Sequence, residues 1–90
     1  MIDAATSPEP LTRKPAVDAD AASRIGADQA TRLRAVPFAI QSGVLHVAML
    51  EPNDLDAIDE IAITADLPVQ GILCEQELLG ELLREHFGTT

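Results

Sequence analysis

Two hydrophobic periods divide this chain. Val36, Phe38 and Ile40 alternate with their neighbours, as on one face of a strand, and Gln41-Ser42-Gly43 follows with turn chemistry. The run 44–50, Val-Leu-His-Val-Ala-Met-Leu, is a second strand, so 36–50 predicts an antiparallel hairpin. Pro37 cannot donate to a ladder, which predicts an unpaired side or an edge position for the first strand. Helical spacing appears next: Leu55, Ile58, Ile61 or Ala62, and Ala65 recur on one side, with Asp56, Asp59 and Glu60 on the other. Asn53 or Asp54 is the natural N-cap of this helix and Leu67-Pro68 its stop. A short third strand spans 69–74.

The strongest helical pattern spans 75–87, where Leu78, Leu79, Leu82, Leu83 and Phe87 form one apolar face. Glu75 and Glu77 suit its start, Arg84 and His86 its last turn, and Gly88 its end. Ahead of the hairpin, 21–34 carries a weaker stripe of Ala22, Ile25, Gln29, Ala30 and Leu33. Gly26 places the start of that helix near 26–27, and Pro37 sets its limit. The predicted fold is therefore α/β: a small α-β-β-α-β-α sandwich, with a three-stranded mixed sheet made of a hairpin plus a crossover strand and packed by helices. Strand order stays open at this level. Residues 1–20 show neither period and hold Pro8, Pro10 and Pro15, which predicts a disordered arm or linker ahead of a domain at 21–90.

Charge sharpens the picture. Of a formal net charge of −9, the whole excess lies in residues 51–90, where ten acids face Arg84 alone. Such a field repels phosphate backbones and anionic lipid, so nucleic acid and membrane surfaces are poor partners. Two aromatics, Phe38 and Phe87, offer no platform for stacking bases. Cys74 stands alone, which excludes an internal disulfide and a cysteine-built metal site. The chain has neither an apolar run near 18 residues nor a signal-peptide pattern, so the cytoplasm is the expected compartment.

Catalytic chemistry finds no foothold. The five glycines never form a phosphate-binding loop, and the single lysine, Lys14, lies in the arm. His46 reads as a half-exposed strand residue with no second His or Cys at metal-ligand spacing. No nucleophile and base pair up, no metal or cofactor is expected, and the domain is read as non-enzymatic. Two candidate surfaces remain. Asp56, Asp59, Glu60 and Glu81 turn away from the apolar stripes and are candidates for contact with a protein partner; the plain alternative is that they only keep the domain soluble. Arg24, Arg32 and Arg34 form the basic cluster of the ordered region and are the candidates for phosphate contact, with ordinary solvated helix charge as the alternative.

These features follow one another in a recognisable order. A helix runs into Ala35-Val36-Pro37-Phe38, then come Gly43-Val44-Leu45 and the run Val47-Ala48-Met49-Leu50-Glu51-Pro52-Asn53-Asp54. An acidic amphipathic helix, Leu67-Pro68-Val69 and a closing helix ending His86-Phe87-Gly88 complete it. Over about 64 residues the chain resembles the second half of the N-terminal domain of type II secretion and type IV pilus assembly ATPases. Leu50 and Glu51 depart from the family's usual Ala-Asp before Pro, and Phe87 replaces a usual Tyr.

The resemblance implies a mobile, non-motor module of bacterial protein transport that docks an ATPase to a cytoplasmic segment of an inner-membrane platform protein. The same module occurs in other multidomain proteins, glycosyltransferases among them. Some members bind cyclic di-GMP through an Arg-Leu-Gly start followed by repeated apolar pairs. Here Arg24-Ile25-Gly26 imitates the start, but Ala27-Asp28-Gln29-Ala30-Thr31 lacks the pairs and the second copy is missing. A cyclic di-GMP sensor is thus the second reading and a stand-alone dimerising domain the third.

Overall fold

The computed structural model describes residue 11 and residues 13–87. Its elements are α1 (Ala19–Ala22), α2 (Ala27–Leu33), β1 (Ala35–Gln41), β2 (Val44–Met49), α3 (Leu55–Ala65), β3 (Val69–Leu73) and α4 (Gln76–Phe87). The sheet has the order β1-β2-β3, with β1 and β2 antiparallel and β2 and β3 parallel. This is the expected mixed α/β sheet, with one short helix added at its start.

The hairpin closes on Ser42 at φ 53° and Gly43 at φ 75°. Two successive positive φ values match the right-handed twist of the paired strands, as a two-residue type I′ turn requires. Pro37 lies on β1, an edge strand, where its missing N–H costs least. The register slips between Pro37 and Ala39, so Phe38 is the extra residue of a bulge. The expected alternation of Val36, Phe38 and Ile40 accordingly fails: Ala35, Val36 and Pro37 are buried in succession, while Phe38 and Ile40 are half-buried. Consecutive strand residues point to opposite faces, so both faces of the sheet are covered there.

Helices α1, α2 and α4 gather around β1, and α3 packs on β3. The core joins Val36, Leu45, Val47 and Met49 of the sheet to Ile61 of α3 and to Leu79, Leu82 and Leu83 of α4. Asp54 caps α3 by accepting from the Ala57 N–H at 3.2 Å, and Asp66 ends it in the left-handed conformation at φ 59°. Leu55 departs from expectation. It is the first residue of α3, where the apolar stripe overshoots the packed face, and it is 70% exposed.

The boundary at residue 21 also moves. Residues 1–10 and 12 of the expected arm lie outside the described residues; residue 11 and 13–20 do not behave as a free linker. The Leu11 N–H donates to the Leu73 carbonyl at 2.8 Å, and Leu11 bridges Cys74 in parallel at the edge of β3. Asp18 caps α1 and donates its own N–H to the carbonyl of the bulged Phe38 at 2.9 Å. The prolines suppress local periodicity, but the backbone groups of this segment find partners on both edges of the sheet, a long-range arrangement that carries no period.

Candidate functional site

The two sets of candidate residues meet at one pair. Arg32, in the last turn of α2, donates N–H from both terminal guanidinium nitrogens to the Glu60 carboxylate of α3, the longer contact at 3.4 Å. Gln29, three residues earlier and so on the same side of α2, donates to Glu60 at 3.3 Å and to the Thr64 hydroxyl at 3.0 Å. The Arg32 hydrogen bond holds the Glu60 carboxyl below its ordinary range, and the same bond raises the guanidinium. Glu60 is turned toward α2 and paired there, with its carboxylate still partly exposed.

Glu81 is likewise engaged. Lys14 reaches α4, lying 3.5 Å from Glu81 and donating to Glu85. That hydrogen bond lowers the Glu85 carboxyl and raises the Lys14 ammonium. Both glutamates with depressed values, Glu60 and Glu85, contribute above the ordinary glutamate range. Their contribution is lost as pH falls through the depressed folded values. These are exposed pairs, and salt screens them.

The three candidate arginines do not converge. Arg24 lies 3.9 Å from Asp20, on the short α1 segment, and Arg32 is taken by Glu60. Arg34 occupies the left-handed C-cap of α2 at φ 53° and faces a separate cleft with Gln76, Glu77, Gly80, Glu81 and Arg84. Ile25, the middle residue of the Arg-Ile-Gly imitation, is buried, and Gly26 is the N-cap of α2. Phe38 packs edge-on to His46, with ring centroids 6.3 Å apart, and Phe87 packs on the core. Among the described residues no three His, Cys, Asp or Glu side chains gather as a metal site, and no helix is long and apolar enough to cross a membrane.

The outward side of α3 is different. Leu55, Asp59 and Ile63 stand at i, i+4 and i+8 and form one ridge along the helix, with Leu55 70% and Ile63 81% exposed. A shallow cleft of about 530 Å³ lies beside the ridge, walled by Asp59, Ala62, Ile63, Asp66, Leu67 and Pro68. Asp56 is exposed near the start of the ridge. Among the described residues no Lys, Arg or His lies within ion-pair distance of Asp56, Asp59 or Asp66. The acidic members were legible in the sequence. The apolar ones were not, because periodicity assigns Leu55 to the core and passes over Ile63.

Comparison with known proteins finds relatives of the chain and of its fold. The chain is 36% identical over 56 residues to the type IV pilus assembly ATPase PilB of Acinetobacter baylyi, across 62% of this chain and 10% of that protein. The structure of MshE with cdg superposes with a TM-score of 0.75 at 23% identity, covering 88% of this chain and 59% of that one. The N-terminal domain of XpsE follows at 0.64 and 18%, covering 93% and 54%. At such identities the likeness to the two structures speaks for the fold. The chain spans a tenth of its curated relative and under two thirds of either structure. The MshEN domain model matches residues 10–90, nearly the whole sequence and reaching back through Leu11 and Lys14, and the chain belongs to the MshEN domain family.

Proposed function

We propose that this domain is a non-catalytic docking module of a bacterial type II secretion or type IV pilus system, coupling an assembly ATPase to the cytoplasmic part of its inner-membrane platform. The observation that carries the reading is the distribution of charge after folding. Lys14, Arg24 and Arg32 are neutralised by carboxylates of the domain itself, while Asp56, Asp59 and Asp66 keep theirs uncompensated among the described residues. A basic protein surface is the complement of such a face. Of the four acidic candidates, Asp56 and Asp59 carry this role, since Glu60 and Glu81 are engaged within the fold.

A second reading has one observation in its favour: MshE is solved with cdg, cyclic di-GMP. Against it, Arg24, Arg32 and Arg34 each face a different neighbour, and a dianionic ligand would compete with Glu60 for Arg32. Calorimetric titration with cyclic di-GMP, beside a titration with the cytoplasmic domain of the cognate platform protein, separates the two. Saturable heat with the protein and none with the nucleotide is the expected result. Micromolar nucleotide binding abolished by Arg32→Ala would reverse the assignment.

A further inference from the structure

We propose that the ridge Leu55–Asp59–Ile63 and the cleft beside it are the docking site itself, and that the occupant is a basic amphipathic helix. The inference rests on the docking reading and adds to it the surface and the chemistry of the partner. Leu55 and Ile63 are the two most exposed large apolar side chains among the described residues, and both lie on α3. A helix has 3.6 residues per turn and rises 1.5 Å per residue, so the three ridge residues lie within about 80° of arc and span about 12 Å. An i, i+4, i+8 ridge of this kind is what seats in the groove between side-chain rows of a second helix.

The cleft supplies the matching depression. Leu67 and Pro68 wall it beyond the end of α3, beside Ile63, and leave room for an apolar side chain of the incoming helix. Charge selects the occupant. Asp56, Asp59 and Asp66 border the apolar contacts and have no cation among the described residues, so lysines or arginines flanking the partner's apolar row complete them. A second copy of this chain presented through the same ridge would set aspartates against aspartates, and an anionic lipid surface meets the same repulsion. A contact built on two apolar anchors belongs to the small, transient class.

The test uses a synthetic helix of about 18 residues, with leucines on one face and lysines flanking them, titrated into the isotope-labelled chain. Backbone shift changes are expected to concentrate in residues 55–68. Leu55→Ser with Ile63→Ser is expected to weaken binding by about tenfold or more while leaving the thermal midpoint unchanged, since both positions are exposed. Glu75→Gln with Glu77→Gln, which removes two charges elsewhere, is expected to weaken it far less. Shift changes centred on another element, or an affinity indifferent to the serine pair, overturns the proposal. Equal binding of the platform's cytoplasmic domain to the wild type and the serine pair overturns the ridge and leaves the docking reading intact. Absence of any binding of that domain to the wild type overturns the docking reading, and the ridge then stands or falls on the synthetic helix.

Discussion

Leu82→Ala is expected to lower the unfolding free energy by about 2–5 kcal/mol, as for other buried leucines cut back to alanine. Leu82 is fully buried on the α4 face that also buries Leu79 and Leu83. The lost transfer free energy is joined by the cost of the cavity, because β1 and α2 pack around α4 and cannot both follow it inward. Single domains hold only about 5–15 kcal/mol in total, so the variant gives up a large share of the stability. Chemical denaturation of the two proteins measures it. A loss below about 0.5 kcal/mol, the range of surface substitutions, would remove Leu82 from the core. The half-buried Leu78 serves as the internal comparison and is expected to cost less.

Gly71→Val is the second large effect, and it acts by crowding. A Cβ at position 71 would lie 3.0 Å from the Met49 sulfur, 3.1 Å from Pro52 Cβ and 3.2 Å from Pro52 Cα. Met49 can swing its sulfur aside. Pro52 cannot, since its Cα belongs to the short connection between β2 and α3, which Asp54 anchors by capping the helix. Overpacking of this kind costs typically about 1–3 kcal/mol, against the fraction of a kilocalorie gained by stiffening the unfolded chain. A valine variant as stable as the wild type would show that the 50–54 loop yields freely. The same close approach explains why a glycine sits in the middle of β3 although glycine is a poor strand former.

The elements with local causes were legible in the sequence. Asp54 and Leu67-Pro68 bracket α3, Gly26 starts α2, and Ser42-Gly43 closes the hairpin, because caps and turns are decided within a few residues. What the sequence withheld is long-range. The carbonyl of the bulged Phe38 accepts from the Asp18 N–H, twenty positions away. The attachment of Leu11 to the edge of β3 joins residues more than sixty positions apart, and Pro8, Pro10 and Pro15 hide it by breaking every local pattern.

The site divides the same way. Asp56 and Asp59 face outward as helical spacing requires, whereas Glu60 and Glu81 find cations on α2 and ahead of α1. Spacing gives the direction of a side chain from its own helix; it is silent on what another element brings to meet it. Leu55 and Ile63 were missed for the converse reason. Leu55 lies on the helical stripe and so is assigned to the core, Ile63 lies off it and is passed over, and α3 leaves both exposed.

In the proposed docking role this domain acts by presenting an acidic face to a basic protein. The association rate with the platform's cytoplasmic domain, followed as ionic strength rises, tests it most directly. The rate is predicted to fall steeply with salt, because steering between opposite charges is screened beyond about 8–10 Å near physiological ionic strength. Asp56→Lys with Asp59→Lys is predicted to flatten that dependence while the complex retains a measurable apolar component. A rate indifferent to salt, and unchanged by the two charge reversals, would contradict the account.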